Sequence, residues 1–492
     1  MWRSLKETNQ ESLLAWAILI LSSCAVVWAT APVWQSQNLN DDSFITLTYA
    51  KNLAAGRGFV FNHPPATLGT TTPGFTLLTA LLAALFPAFT VAEAAIALSS
   101  AAWIGTGWVL YLIMRQLDFQ PIAAAAAASI PLLIMHGWIG FIGMELLPFQ
   151  FLLALSIYLA LKEQVFLAGI CVAALFLTRG EGALVGLMLF AYLWYRRRRL
   201  PLQFLLGGGA TVSLWIVYAW LTFGTIIPNT LAAKQTQAQL PYWRNFFDRI
   251  MFELLPKYLS NFRYFDSWLL NPYLLLAGLG LLYALFQERK LLLFIAWGGA
   301  YLLGYTLLNP SAYYWYVLHI VFILQVMAGV GLAWLITLFR RSPSLLGSRA
   351  AGAAALLLAV SFLYFGYTVM RQVPSFTGDH RATTYRALAG WLNEHTLPEE
   401  SVAFIEIGYL GYFSHNRIID LAGLTDPLIT AHLLSDGFAW GFWHYQPDYY
   451  IYAEEFDWAL GDIKPELEAY APVHQVERDT VSTPIYIYKR AN

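Results

Sequence analysis

The sequence predicts a polytopic α-helical membrane protein with about eleven spans and a small extracytoplasmic α/β domain at the carboxyl end. Composition is the first observation, since 58% of the 492 residues are hydrophobic and only 12% are charged, whereas soluble proteins carry about 25% charged residues. Apolar runs of spanning length recur along residues 1–370, and charged residues return along residues 371–492. The net charge of −1 and the lack of a basic domain argue against a nucleic-acid partner.

The first apolar run, residues 12–34, is long enough to span a bilayer. No small-residue cleavage site follows it, so we expect a retained span rather than a signal peptide. Arg3 and Lys6 precede the run and favour a cytoplasmic amino terminus. Further runs of spanning length occupy residues 92–114, 121–141, 147–161, 164–178, 182–195, 202–222, 269–286, 291–308, 314–338 and 350–370.

A shorter run, residues 73–89, decides on which side every later loop lies. If this run does not cross, nearly all short basic loops fall in the cytoplasm, including those with Arg115, Lys162 and Arg196 to Arg199. Basic short loops are typical of the cytoplasmic side, so we expect a juxtamembrane or half-inserted helix within a first outer loop of residues 35–91. The basic loop 224–268 then lies outside and is the exception.

The same parity places residues 371–492 outside the membrane as a separate domain. Thr384 to Glu394 has the periodicity of an amphipathic helix. Four short segments have the composition of strands, and they are Ser401 to Tyr412, Arg417 to Leu421, Tyr449 to Ala453 and Pro484 to Lys489. We therefore expect residues 1–370 to form the transmembrane domain and residues 371–492 a soluble α/β domain.

Polar side chains cluster at the predicted outer ends of the spans. Charged groups near hydrocarbon are costly and usually functional, and their convergence on one face predicts a shared cavity there. The residues are Asp41, Asp42, Glu145, Arg179, Glu181, Asn229, Lys234, Tyr313, Tyr314, Trp315 and Tyr316.

Asp41 and Asp42 begin a segment that is typical of an N-capped amphipathic helix. One of the two could simply cap that helix. Since one cap needs one aspartate, the pair also fits a general base for a sugar hydroxyl or, together with Glu145, ligands for a divalent metal ion.

Each of the other polar positions has a structural alternative as well. Glu145 could be a helix-terminal acid favoured by the helix dipole, and Arg179 could form an ion pair with Glu181 instead of binding a phosphate. Asn229 and Lys234 could be a loop turn and a solvated lysine.

The aromatic residues of this set also have two interpretations. Tyr313 to Tyr316 fit either an interfacial aromatic belt or the lining of a lipid-donor groove. His319, one helical turn further on, is more often a packing residue than a ligand.

Six segments follow one another along the chain in an order that is informative. They are Asp41 to Asn62, Gly69 to Leu78 (GTTTPGFTLL), Gly143 to Glu145 (GME), Thr178 to Gly182 (TRGEG), Phe223 to Lys234 and Ile407 to Pro427. Together they resemble the GT-C superfamily of membrane glycosyltransferases, with the most similar branch being cell-envelope arabinofuranosyltransferases.

The resemblance implies an inverting transferase that uses a polyprenyl-phosphate sugar donor. An envelope glycan, lipid or protein would be the acceptor, in a multi-pass protein of the cell membrane. We expect Asp41 to act as the base, Asp42 to orient it or hold a metal ion, and Glu145 and Glu181 to lie on the acceptor or metal side.

The remaining site residues follow from the same resemblance. Arg179, Asn229 and Lys234 would contact the donor phosphate, with Tyr313 to Tyr316 and His319 beside the lipid. Asp420 and Asp426 would guide the acceptor, although turn and strand-end acids are the plainer interpretation.

Two other functions compete with transfer. A non-catalytic scaffold that binds lipid-linked sugar would keep the same fold. A flippase would show an internal repeat or charges at mid-membrane, and the sequence has neither.

Overall fold

The computed structural model describes residues 2–62, 66–135, 137–260, 272–341, 378–463, 469–478 and 483–491. Five helices occupy the first part of the chain. They are α1 (Trp2–Ser36), α2 (Asp41–Ala54), α3 (Pro73–Leu85), α4 (Val91–Gln116) and α5 (Pro121–Leu133). Thr90 caps α4 in a reciprocal capping box with Glu93, which satisfies two backbone donors that would otherwise lack partners.

The rest of the helical part continues with mostly apolar helices. They are α6 (Leu146–Leu161), α7 (Val165–Thr178), α8 (Gly182–Arg197), α9 (Leu202–Phe223), α10 (Asn229–Gln237), α11 (Phe246–Asp248), α12 (Leu255–Ser260), α13 (Pro272–Phe286), α14 (Leu292–Leu308) and α15 (Tyr314–Arg341). A π-helical segment, Arg249–Leu254, joins α11 to α12.

Helices occupy every predicted span except residues 350–370, which lie outside the described residues. Within the described parts, 5 helices are long and apolar enough to cross a membrane, and the shorter apolar helices include α3, α5, α6, α7 and α13. The prediction of a multi-pass α-helical membrane protein is confirmed. The run 121–141 is not one helix, because α5 ends at Leu133 and a short 3₁₀ turn follows at Ile139–Phe141.

The carboxyl-terminal domain contains a mixed sheet of 5 strands in the order β2-β1-β3-β5-β4. Its strands are β1 (Ser401–Phe404), β2 (Arg417–Asp420), β3 (Tyr449–Tyr452), β4 (Tyr470–Val476) and β5 (Ile485–Arg490). β1 pairs in parallel with β2 and β3, whereas β5 runs antiparallel to β3 and β4. The predicted small α/β domain is therefore confirmed.

Helices surround this sheet. They are α16 (Ala382–His395), α17 (Gly408–Phe413), α18 (Pro427–Asp436), α19 (Trp440–Tyr445) and α20 (Asp457–Leu460). The predicted amphipathic helix is α16, which buries Tyr385, Leu388 and Leu392. The predicted strand Ser401 to Tyr412 is wrong in its second half, because the chain leaves the sheet after Phe404 and forms α17. Strand β4 was not predicted.

Helix α17 attaches the domain to the membrane part by packing on α2. The Phe44 ring of α2 lies 4.5 Å from the Tyr409 ring centroid and 4.9 Å from that of Tyr412. A Cβ atom on Gly408 would lie 1.8 Å from the Asp41 carbonyl oxygen, so the close approach of the two helices requires glycine at that position. The sheet domain is thus held directly against the predicted acidic segment.

Candidate active site

A cleft with an empty volume of about 890 Å³ lies where the membrane helices meet the carboxyl-terminal domain. Residues far apart in sequence line it. They include Asp42 and Thr46 of α2, Thr70 and Thr72 before α3, Glu145, Arg179 and Glu181, Thr230 and Lys234 of α10, Tyr305, Tyr316 and Leu424. The structure thus brings most of the predicted polar set into one cavity.

The two adjacent aspartates have different surroundings. The side chain that caps α2 belongs to Asn40, which accepts a hydrogen bond from the Asp42 amide, so neither aspartate is the N-cap. The Asp41 carboxylate accepts hydrogen bonds from the backbone N–H groups of Gly408, at 3.0 Å, and Tyr409, at 2.9 Å. Asp41 therefore joins α2 to the start of α17, and it is not among the residues that line the cleft.

Asp42 lines the cleft and is half-buried. Burial raises the pKa of its carboxyl above the ordinary value, and the positive charges of Lys234 and Arg381 oppose that rise. Burial and the negative charge of Glu406 raise the pKa of Asp41 to about 8. Of the two groups, Asp42 is the one whose carboxylate can meet a molecule bound in the cleft.

Arg179 lies between two acids. Its guanidinium forms ion pairs with Glu145 and with Glu181, the latter at 2.8 Å, and all three side chains are buried. Burial would raise the pKa of Glu181, but the charge of Arg179 outweighs it and holds that pKa at about 2. The predicted ion pair is present and extends to Glu145, so one guanidinium faces two carboxylates.

Local backbone geometry places this trio. Gly143 has a positive φ of 86°, a conformation that favours glycine. Its amide donates a hydrogen bond to Ser99 of α4 at 3.2 Å, which fixes the turn that carries Glu145. Arg179 and Glu181 lie in the tight connection between α7 and α8.

Lys234 projects from α10 into a group of aromatic rings. Its Nζ lies 5.0 Å from the ring centroids of both Tyr313 and Trp315 and 5.7 Å from that of Tyr316. Tyr313 and Trp315 stack with centroids 4.8 Å apart. No carboxylate of the described residues lies within ion-pair distance of this ammonium group. Lys234 is therefore a cation in the cleft that an anion could approach.

Two other members of the predicted aromatic set lie apart from that group. Tyr314 is 45% exposed, and its hydroxyl accepts a hydrogen bond from Lys257. His319 is fully buried, with Nδ1 at 3.1 Å from Gln150 Nε2 and Nε2 at 3.8 Å from Glu181. His319 therefore lies beside Glu181 and does not line the cleft.

The other three predicted residues form structural hydrogen bonds. Asn229 joins the helical part to the sheet domain, and Asp420 and Asp426 form bonds within the sheet domain. Asn229 donates to the Gly423 carbonyl at 2.7 Å. Asp420 accepts from the Ala422 and Thr425 amides, and burial raises its pKa to about 6. Asp426 caps α18. Their predicted ligand roles have plainer explanations in these bonds.

Sequence reasoning did not single out the charged group behind the two aspartates. Arg381 pairs with Asp379, at 2.7 Å, and with Glu406, and Tyr385 donates to Glu406. It also missed the hydroxyls of Thr46, Thr70 and Thr72, with Thr46 and Thr70 at 3.1 Å. Thr70 and Thr72 belong to the GTTTPGF motif, so the sequence did contain a pattern that points to them. No motif in the sequence points to Arg381.

No three His, Cys, Asp or Glu side chains of the described residues are arranged to hold a metal ion. Asp41, Asp42 and Glu145, suggested by the sequence as metal ligands, therefore do not form such a group. Asp41 bonds to α17, and Glu145 pairs with Arg179.

Comparison with solved structures shows a strong likeness over nearly the whole chain. The crystal structure of ArnT from Cupriavidus metallidurans in the apo state superposes with a TM-score of 0.62, at 14% sequence identity, covering 94% of this chain and 97% of that chain. The chain has the GT-C fold. Residues 374–488 match a family described as a domain of unknown function, DUF8728. No curated protein sequence matches the chain.

Proposed function

We propose that the protein is an inverting glycosyltransferase that moves a sugar from a polyprenyl-phosphate donor to an extracytoplasmic glycan, lipid or protein acceptor at the cell membrane. The observation that carries this proposal is a single cleft that combines the half-buried Asp42 carboxylate with the Lys234 ammonium group. Such a transfer needs a carboxylate base and an accessible cation. The base removes the proton of the acceptor hydroxyl on one face of the sugar, and the cation stabilises the phosphate that leaves from the opposite face.

In the proposed reaction the acceptor hydroxyl oxygen attacks the anomeric carbon, and its proton passes to the Asp42 carboxylate. The bond between the anomeric carbon and the phosphate oxygen breaks, and the electron pair leaves with the polyprenyl phosphate. Attack opposite the leaving group inverts the anomeric centre. This assigns the base to Asp42 instead of Asp41, because both Asp41 oxygens already accept backbone hydrogen bonds from α17.

Lys234 would stabilise the departing phosphate, since it is the cleft cation without a carboxylate partner among the described residues. Arg179 is a weaker candidate for that role because Glu145 and Glu181 neutralise it. The trio would instead hold sugar hydroxyls, together with the Thr46, Thr70 and Thr72 hydroxyls. The rings of Trp315 and Tyr316 would shield the phosphate from water. Likeness of the fold to ArnT supports a lipid-linked donor.

Transfer of radiolabelled sugar from a panel of polyprenyl-phosphate pentoses and hexoses, in membranes that contain the protein, tests this function. We expect transfer from at least one donor and its loss in Asp42→Asn protein. Donor binding without transfer from any donor would favour a non-catalytic scaffold. Undiminished transfer by the Asp42→Asn protein would remove the assigned base.

A further inference from the structure

His319 is a polar ring among aromatic side chains in the helical part of the protein. It lies on α15 and is fully buried. The centroid of its ring is 4.9 Å from that of Tyr301, 5.0 Å from that of Phe149 and 5.6 Å from that of Trp297. All three contacts are edge-to-face, so the imidazole cannot turn without displacing a neighbour. Burial of such a ring is costly unless its nitrogen atoms have polar partners.

The two nitrogen atoms of His319 face different groups. Nδ1 lies 3.1 Å from Gln150 Nε2, and Nε2 lies 3.8 Å from Glu181 Oε1. A nitrogen lone pair directed at a carboxylate would be repelled, so a proton belongs on Nε2. Nδ1 then accepts a hydrogen bond from the Gln150 amide. Gln150 therefore fixes the tautomer in which His319 presents an N–H group to Glu181.

The Glu181 carboxylate is held through one of its two oxygen atoms. Arg179 Nη2 lies 2.8 Å from Oε1, and Arg179 Nε lies 2.9 Å from the same atom. His319 Nε2 approaches Oε1 as well. Three nitrogen atoms thus converge on Oε1, and none of these contacts uses Oε2. The convergence sets the rotation of the carboxylate group and leaves its second oxygen for another partner.

The contact between His319 and Glu181 can still tighten. At 3.8 Å the two atoms are beyond hydrogen-bond distance, and the described residues give His319 Nε2 no hydrogen-bond partner. A small movement of Glu181 toward the ring would form that bond, which is favourable in the interior. Glu181 lines the cleft and His319 does not, so His319 acts on a bound molecule only through Glu181.

Helix α6 reaches the acidic trio from two sides. Glu145 directly precedes α6 and pairs with Arg179. Gln150 lies further along α6, is buried and contacts His319. The placement of Arg179 and Glu181 is therefore fixed from one rigid element on both sides, which is what a preorganised binding site requires.

We infer that His319, oriented by Gln150, positions Glu181 so that its second oxygen binds a hydroxyl group of the donor sugar. His319 is thus a positioning residue of the sugar site. The inference rests on the proposed transferase function, in which the trio holds the sugar and Lys234 stabilises the phosphate. The part of the donor affinity that comes from the sugar then depends on the His319 N–H group, whereas the part that comes from the phosphate does not.

Binding to the full-length protein in detergent separates these two parts. The probes are polyprenyl-phosphate-linked pentoses and hexoses, and the reference is polyprenyl methyl phosphate, which carries the same phosphodiester charge without a sugar. The measured quantity is the ratio of the affinity for the best-bound sugar probe to the affinity for the reference. We expect a ratio of at least about ten in the unmodified protein. A ratio of one would overturn the inference.

Two substitutions of His319 distinguish positioning from packing. His319→Leu removes the N–H group, and His319→Gln restores an N–H donor near the position of Nε2. We expect His319→Leu to lower the ratio about tenfold with an unchanged affinity for the reference, and His319→Gln to keep most of it. A packing role predicts the reverse order, because leucine suits an aromatic environment better than glutamine does.

Gln150→Met tests the second residue, and Gln325→Met is the matched control. Gln325 is also a buried glutamine, and its amide donates to the Ile134 carbonyl. We expect the ratio to fall severalfold in Gln150→Met protein only. This pair decides the matter if His319→Leu lowers the melting temperature.

A ratio that is kept better by leucine than by glutamine at position 319 would overturn the inference. Equal losses in Gln150→Met and Gln325→Met protein would overturn it as well. Sugar-dependent binding that follows the expected order in a protein that transfers no sugar would overturn the proposed function alone.

Discussion

The Asp41 carboxylate accepts a hydrogen bond from the Gly408 amide at 3.0 Å, which joins residues 367 positions apart. The bond separates the roles of two aspartates that look equivalent in sequence. Asp41 ties α2 to the sheet domain, and the next residue, Asp42, lines the cleft.

Asp42→Asn should lower the single-turnover rate of sugar transfer by about 10²- to 10⁴-fold, the usual loss when a general base is removed. Its melting temperature should stay close to that of the unmodified protein, because the described residues give the Asp42 side chain no hydrogen bond comparable with those of Asp41. Asp462→Asn, at an exposed position, is the matched control and should retain full activity. A loss below threefold would contradict the assignment of the base.

Asp41 should matter for stability and for its dependence on pH. Native Asp41 has a pKa of about 8, whereas an unfolded aspartate ionises near its ordinary value of about 4. Between those values the native state retains a proton that the unfolded state loses, so the free energy of unfolding falls as pH rises from about 4 to about 8 and levels off above that. Asp41→Asn, which cannot ionise, should flatten the decline in melting temperature between pH 5 and pH 8.

Asp41→Ala is the complementary variant. It removes both acceptors and leaves the Gly408 and Tyr409 amides unpaired, at a cost of about 1–3 kcal/mol. Limited proteolysis should then release the carboxyl-terminal domain faster. An unchanged pH dependence in Asp41→Asn protein would show that another group, such as the nearby Glu406, dominates the titration.

Lys234→Gln should both weaken binding of the donor and shift the pH dependence of the transfer rate. Loss of the ammonium group removes a phosphate contact, so we expect KM for the donor to rise about tenfold. The charge of Lys234 also opposes the raised pKa of Asp42, so the acidic limb of the rate profile should move to higher pH. Lys257→Gln, an exposed lysine beside Tyr314, is the control. An unmoved acidic limb would argue that Asp42 is not the titrating base.

Topology follows from the positive-inside argument and can be measured by cysteine labelling. In a Cys24→Ser/Cys171→Ala background, single cysteines replacing Ala88 and Glu399 should react with a membrane-impermeant thiol reagent added outside intact cells. A cysteine replacing Arg199 should react only after the membrane is opened. All three positions are exposed. Protection of position 399 in intact cells would place the sheet domain in the cytoplasm and contradict the scheme.

The membrane helices and the amphipathic helix were predictable because each depends on a local pattern in the chain. Apolar runs gave the membrane helices, since lipid demands continuous hydrophobic length. The 3.6-residue period gave α16, with Leu388 and Leu392 on its buried face. The prediction that the strand continues after Phe404 was wrong. Ile407 to Phe413 is apolar enough for a strand, but it packs on α2 as a helix, and the Asp41 carboxylate accepts hydrogen bonds from the first amides of that helix.

By itself, the sequence determined the membrane class, the small carboxyl-terminal α/β domain and most of the polar residues that line one cleft, because hydrophobic length and charge are properties of neighbours in the chain. Only the tertiary structure decided which member of the set does what. Asp41 and Asp42 differ because Asp41 accepts a hydrogen bond from Gly408, 367 positions along the chain, whereas the charge of Lys234, 192 positions along, acts on Asp42. Hydrogen bonds and charges act through space, so the distinction between the two aspartates arises only once the sheet domain packs against α2.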